Sequence, residues 1–517
     1  MLHDELDLLI GQMFVFGFHG YRADRQLLAW YQRHPAGGVI LFDRNFQNKD
    51  QIQALLGELQ SLARSIRPEL PLLVGVDQEG GSLSPLRGIV TSLPGNMGLA
   101  ATGDPGAAYY AGYTTGRDLR ELGFNLNFAP VLDLALTFNP VVGTRAFSDR
   151  PETVAGFGRE FARGLGEAGV LFSAKHFPGH GCCTEDSHVE LPGCRESLSV
   201  LASRDMMPFA ESRNFPGAAW MMAHVKYPAL DPELPASLSP RFTRYIRQEL
   251  GFDGVLMTDC LEMQAIQNTI PYPADAVKAV EAGMDLVLIS HTPEHQDASY
   301  QAVKEAVRAG RIPIGRIEES VRRITEWKKQ IGNGKASNTT QTGLWTPDLL
   351  AEKALTLHNA AVSWQFDTLP ITLIMPEMNK VTLAENLGDF QVLEAELADC
   401  SVACCRIGCS TNPGSPEMER VLAAHRKSGH RKVVFVLSNP LAAPGQVKLL
   451  QELAAIAPVL LVCTRNPGEY QQLGLDLPVL FTYSTEAAVL SALARVLAGK
   501  AAPGGGIPLS WFNSKSQ

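Results

Sequence analysis

Val170 to His188 reads VLFSAKHFPGHGCCTEDSH: an apolar run that ends in a Lys-His pair, turns at Pro178 and Gly179, and continues as a polar segment. That is the pattern of a buried strand delivering polar groups to a loop at its C-terminal end. The stretch holds three of the chain's twelve histidines, His176, His180 and His188. Such a density points to chemistry carried on a loop and aimed by a rigid scaffold.

Seven other short apolar runs in the first 330 residues share the design, separated by longer amphipathic stretches. With Val170 to His176 they make eight strand candidates: Met13 to Phe18, Gly38 to Phe42, Leu72 to Asp77, Leu126 to Asp133, Ala219 to His224, Val255 to Asp259 and Asp285 to Ser290. Alternating strands and helices imply parallel β/α units, and eight of them fit a TIM-type (β/α)8 barrel. A doubly wound open sheet is the alternative, but it calls for a GxGxxG turn after an early strand, and GVDQEGG (residues 75 to 81) lacks that spacing. Asp77, Asp133, Lys175 with His176, His224 and Asp259 all fall at strand ends, and in barrels the C-terminal rim is the active face. A single terminal Asp is ordinarily a cap; five polar endings together suggest a site.

The chain has 517 residues, too long for one core. We expect a barrel domain over 1–331, a polar linker over 332–344 (beginning GNGKASNTTQTG), and an α/β domain over 345–517. In the latter, strands are expected at Ile371 to Met375, Ser401 to Arg406, Val433 to Leu437, Val459 to Cys463 and Val479 to Phe481. Interleaved helices make it a smaller three-layer α/β domain, and PGGGIP (503 to 508) reads as a turn before a final short strand. The formal net charge of −9 argues against a nucleic-acid partner. The N-terminal MLHDELDLLIGQMFVFGF carries acids where an export signal carries bases, and its apolar run is short. We therefore expect no export signal, no membrane span and a cytoplasmic location. Nine scattered cysteines do not resemble a disulfide framework and read as reduced thiols.

Read from the residues alone, Asp259 at the end of VLMTD and His188, two residues from Asp186, offer the nucleophile and proton carrier that covalent acyl or glycosyl transfer needs. Asp186 is placed to fix the tautomer of His188. A surface Asp-Ser-His turn is the plainer alternative. His176, His180, Cys182, Cys183, Asp186 and His188 are also potential metal ligands, but their spacing fits no zinc pattern, and the fixed charge of Lys175 would oppose a cation. There is no GxSxG elbow and no Walker loop.

KHFPGHG followed by DSH, with VDQEGG before it and GFDGVLMTDCLEM after it, resembles glycoside hydrolase family three, and more narrowly its β-N-acetylglucosaminidase branch in a two-domain form. The similarity runs in consistent order from about Ile10 to Ser290, through GGVILF, LNFAPVLD, NPVVGTRAFS, RDMMPF, MMAHV and AGMDLVL. The resemblance implies that Asp259 is the nucleophile and His188 the acid/base, with Asp186 as its partner. It further implies that Asp77, Arg145, Lys175 and His176 contact the sugar, and less firmly His224. No cofactor and no metal are called for, and the partner is a carbohydrate.

The implied reaction is retaining hydrolysis of N-acetyl-β-glucosaminides of cell-wall muropeptide or chitin type, through a glycosyl-Asp intermediate. A neutral histidine base does not repel phosphate, so phosphorolysis is an alternative; a non-catalytic sugar-binding protein on the same fold is another. The chain departs from the family where DQEGG is commonly followed by RVxRL: Ser82, Leu83, Ser84, Pro85 and Leu86 stand there, with Arg87 offset by one. It departs again at Cys182 and Cys183, where polar residues are usual, and at Cys260, which replaces another Asp.

Overall fold

The computed structural model describes residues 5–136, 139, 141–183, 191–215, 217–333, 344–359, 364–377, 388–439 and 443–513. Its first half is a closed eight-stranded parallel barrel. In chain order the strands are β1 (Phe14–Phe16), β2 (Gly38–Ile40), β3 (Leu73–Val76), β4 (Leu126–Asn127), β5 (Leu171–Phe177) and β6 (Ala218–Met222). A short antiparallel hairpin, β7 (Lys226–Tyr227) and β8 (Asp231–Pro235), precedes the last two barrel strands, β9 (Val255–Cys260) and β10 (Leu286–Ile289), and β10 closes onto β1. All eight runs expected from the sequence are barrel strands, so the open sheet is excluded.

The barrel forms because its strands are apolar on both faces. β1, β3, β6 and β10 are buried at every position, as parallel strands covered by helices must be. Helices Pro105–Leu122 and Pro151–Glu167 pack closely because Gly112 and Gly164 present backbone at the crossing, where a Cβ would collide with Phe161 and Tyr109. Trp220 on β6 is fully buried. Its ring stacks on Phe177 at 5.1 Å and on Phe252 at 3.9 Å, and its indole nitrogen donates to Ser212 Oγ at 3.1 Å.

Regular pairing on β4 stops earlier than the sequence suggests. Pro130 has no amide to donate, so the run to Asp133 continues as extended chain, tied to β5 by Lys175 N to Pro130 O at 3.1 Å and Leu132 N to Lys175 O at 2.6 Å. β5 in turn shifts register against β6 between Lys175 and Phe177. Strand neighbours ordinarily point to opposite faces, and such an irregularity re-aims side chains; here both Lys175 and His176 line the cavity at the barrel mouth.

The second half is a six-stranded sheet in the order β11-β16-β15-β14-β12-β13. Its strands are β11 (Thr356–His358), β12 (Ile371–Pro376), β13 (Cys404–Cys409), β14 (Lys432–Leu437), β15 (Val459–Cys463) and β16 (Val479–Phe481). β11 pairs antiparallel with β16; the other pairs are parallel. The sequence pattern does not reveal β11, which is three residues long, and misleads after Pro508: Ser510–Asn513 is a short helix, not a strand. It docks on the barrel, where Trp511 Nε1 donates to Ala135 O at 2.8 Å and Ser148 Oγ donates to Pro508 O at 2.5 Å. Near the barrel mouth Arg87 pairs with Glu486 at 3.0 Å, and Ser92 donates to the same carboxylate at 2.9 Å. Among the described residues no helix is long and apolar enough to cross a membrane.

Truncating Trp220 would leave a void between two rings and take away the indole hydrogen bond to Ser212. Trp220→Ala is expected to cost about 3–5 kcal/mol of barrel stability, read as a shift of the barrel's unfolding transition in urea.

Candidate active site

A cavity of about 510 Å³ opens at the C-terminal end of the barrel, a volume typical of small-molecule sites. Asp77, Arg145, Lys175, His176 and Asp259 line it, together with the apolar Phe42, Leu83, Pro85, Val141, Met221 and Met263. Five residues picked out from the sequence therefore meet in one place, delivered by β3, the short turn Gly143–Arg145, β5 and β9.

Their electrostatics centre on Lys175. Its side chain is 2% exposed, and its Nζ lies 2.6 Å from Asp77 Oδ1 and 2.6 Å from Glu79 Oε1. Glu79 is equally buried and takes a two-point contact from Arg145, Nε to Oε2 at 2.9 Å and Nη2 to Oε1 at 2.8 Å. Burial alone would raise the Glu79 carboxyl, but the charges of Arg145 and Lys175 outweigh it and hold the group at about 2. Burial works against the charge of Lys175 too, and Asp77 and Glu79 more than reverse it, so its pKa is raised. Two cations and two anions thus share one buried corner. The most exposed side chain of the four is Asp77, at 21%.

A second chain of contacts runs behind Asp259. His176 Nδ1 is 2.6 Å from Asp133 Oδ2, which leaves Nε2 as the nitrogen facing Asp259, 3.9 Å from its Oδ2. Asp133 also accepts the backbone amides of His176 at 3.2 Å and His180 at 2.7 Å. Burial would raise its carboxyl, yet the neighbouring His176 overrides this and brings it to about 2. His180 is buried beside it, and desolvation pushes its ring down to about 4. Asp259 accepts the amide of Cys260 through Oδ1 at 2.7 Å.

Glu79, within VDQEGG, is not among the residues picked out from the sequence, and Asp133, within LNFAPVLD, is picked out only as a polar strand end with no role assigned. A burial argument could have found them: Lys175 and His176 inside a strand require partners. His224 does not reach the cavity lining. Its ring is locked by Ser237 Oγ at 2.7 Å and the carbonyl of Cys260 at 2.9 Å, so it braces the strand that carries Asp259. Asp186 and His188 lie outside the described residues. Arg87 turns to Glu486 in the second half of the chain and to Gly81 O in its own loop, and Leu83 and Pro85 stand in the wall instead. Cys182 is not a free thiol: it forms a disulfide with Cys194.

Among the described residues one cluster, Cys260, Glu262 and His291, has metal-ligand spacing. Its carboxylate is already engaged by backbone. Glu262 accepts the amides of Ser290 and His291 at 2.6 Å each and of Thr292 at 2.8 Å. Burial pushes the Cys260 thiol up to about 12.

The family model for the glycosyl hydrolase family 3 N-terminal domain matches residues 5–327. A β-hexosaminidase of Alkalilimnicola ehrlichii is 36% identical over 355 residues, covering 65% of this chain and 99% of that protein. One of Methylococcus capsulatus is 37% identical over 316 residues, 58% of this chain and 91% of its own. Among solved structures, a glycoside hydrolase family 3 β-N-acetylglucosaminidase from a Paenibacillus species superposes with a TM-score of 0.88 at 34% identity, covering 98% of this chain and 99% of that one.

The buried titrating groups set a pH profile for stability. Glu79 and Asp133, at about 2 in the fold against ordinary values of 4.5 and 3.8, stabilise it above pH 4.5 and lose that contribution as pH falls toward 2. His180 stays neutral down to about pH 4 while the unfolded chain gains a proton near 6.5, so stability declines already between 6.5 and 4. The thermal midpoint is expected to fall on acidification from pH 6.5, and His180→Gln to flatten the upper part of that decline while leaving the drop below 4.5, as followed by scanning calorimetry.

Proposed function

Because the chain belongs to glycosyl hydrolase family 3, and so is a glycoside hydrolase, we propose that it removes terminal N-acetyl-β-glucosamine from cell-wall or chitin-type saccharides with retention of configuration. The observation that carries this reading is the position of Asp259: a carboxylate at a barrel rim, in a cavity of small-molecule size, with the Asp133–His176 pair behind it and a charge-neutral grip of Asp77, Lys175, Glu79 and Arg145 beside the same space. β-Hexosaminidase relatives and a β-N-acetylglucosaminidase of the same two-part fold support the choice of sugar.

In this reading Asp259 attacks the anomeric carbon, and His188, oriented by Asp186, protonates the leaving oxygen. The covalent glycosyl-Asp then reacts with water, from which His188 takes a proton, and the second inversion restores the β anomer. His176 Nε2 is held toward the reacting centre by its Nδ1 contact to Asp133, an arrangement that fixes ring and tautomer together. The exposed edge of Asp77 accepts sugar hydroxyls, with Lys175 pinning it in place and Arg145 holding Glu79 as the counterion of that lysine. No step of this scheme calls on a metal.

The test is an assay of aryl N-acetyl-β-glucosaminides, chitobiose and muropeptide disaccharides, with the first-formed anomer read by NMR. Asp259→Ala is expected to lose on the order of ten-thousandfold in kcat, and His188→Ala about a hundred- to ten-thousandfold. An Asp259→Ala variant as active as wild type would overturn the nucleophile assignment. Sugar 1-phosphate as the main product in phosphate buffer would replace hydrolysis by phosphorolysis.

A further inference from the structure

We propose that the floor of the barrel, at the end away from the saccharide cavity, holds one halide ion between Lys328 and Arg67. A second cavity lies there. Gln12, Ala36 and Leu72, which line it, stand one or two residues before β1, β2 and β3, so it opens beneath the N-terminal strand ends. Its volume is about 10 Å³, against about 510 Å³ at the barrel mouth, which is room for one water-sized sphere.

Two cations border this space and, among the described residues, no carboxylate does. Lys328 ends the last barrel helix, Ile314–Lys328, and is 2% exposed. Its Nζ donates to Gln12 Oε1 and to Gly37 O, both at 2.8 Å. An ammonium has three donors, so two neutral acceptors leave one N–H and the whole charge uncompensated. Lys175, equally buried, has two carboxylates for the same need. Arg67 stands just after helix Lys49–Ile66 and spends Nη1 on Leu8 O at 3.1 Å, which leaves its guanidinium donors to spare.

The neighbouring titratable groups do not supply the missing charge. Tyr31 lines the cavity, but its hydroxyl donates to Ala36 O at 2.7 Å and burial raises its pKa, which keeps it neutral. Glu69 acts on Arg67 and is exposed. Burial first, and then the charge of Arg67, bring the Lys328 ammonium down to about 7. The C-terminal ends of the two helices soften the clash of cations through their dipoles; a full negative charge between them removes it. The size of the space sets the class of anion. One sphere accommodates chloride or bromide, and not sulfate, phosphate or a sugar carboxylate. Through Gln12 on the first helix, Glu5–Gln12, and Lys328 on the last, the ion favours the closed barrel.

With Lys328 at about 7 in the empty site and at its ordinary 10.5 in the unfolded chain, folding without the ion releases a proton between those values, and stability rises with pH across them. A halide favours the protonated lysine, so its apparent affinity falls about tenfold for each pH unit above 7. The experiment follows thermal unfolding of the full chain at about pH 6 and about pH 9, in sodium bromide or sodium gluconate at one fixed ionic strength, and locates bromide by anomalous diffraction from crystals at the lower pH. Exchanging gluconate for bromide is expected to raise the midpoint by about 2–4 °C at pH 6 and to leave it unchanged at pH 9, with an anomalous peak between Lys328 Nζ and the Arg67 guanidinium. Lys328→Met should abolish the shift. Arg67→Gln, at a half-buried position, should weaken it and keeps the test readable if Lys328→Met does not fold. No peak in the cavity, equal midpoints in bromide and gluconate at pH 6, or a shift that persists in both variants would each overturn the site. A peak with no shift, an adventitious ion only, overturns it as well.

Discussion

Burying the ammonium of Lys175 is the constraint on which the rest of the barrel mouth depends. A lysine with 2% of its side chain exposed is tolerable only beside opposite charge, and the chain supplies two carboxylates, Asp77 and Glu79, from one loop after β3. Two anions against one cation would leave a net charge in the interior, and Arg145 removes it with a two-point grip on Glu79. Three separate segments of the chain are thereby held in one register. Ion clusters of this kind stabilise little in net terms, because desolvation consumes most of their attraction. Their contribution here is geometric: each partner has one place to be.

The second constraint is the demand of His176 for a partner, met by Asp133. A ring nitrogen hydrogen-bonded to a buried carboxylate has a fixed plane, and the opposite nitrogen then faces Asp259. Because Asp133 also receives two backbone amides, it organises the end of β5 as well as the ring. His224, by contrast, spends both nitrogens on Ser237 and on the backbone of Cys260, and so shapes the site from behind the nucleophile strand.

Much of this arrangement is legible in the amino-acid sequence. Short apolar runs mark all eight barrel strands, since burial on both faces leaves an unambiguous pattern, and the polar ends of five of them locate the rim. What is not legible depends on pairing across distance. VDQEGG shows two acids, but not that Glu79 is the buried counterion while Asp77 keeps an exposed edge. The spacing of Cys182 and Cys194 says nothing of their proximity, which arises because the hairpin after β6 brings Lys226 alongside Gly193. β11 escapes notice because three residues, Thr356 to His358, carry no usable period, and the helix at Ser510 because its apolar Trp511 and Phe512 also suit a strand.

The contact between Arg87 and Glu486 carries a thermodynamic consequence. Arg87 holds the carbonyl of Gly81 as well as the Glu486 carboxylate, and Gly81 belongs to the same loop that presents Asp77. The loop is therefore common property of the saccharide-facing wall and the seam with the second sheet. Any guest that tightens it from the barrel side must also favour the docked seam, and a well-docked seam must favour the guest by the same factor, since binding linkage is reciprocal. Among the described residues the second sheet supplies none to the cavity lining, so the shared loop is a route by which it can act on affinity from outside the wall.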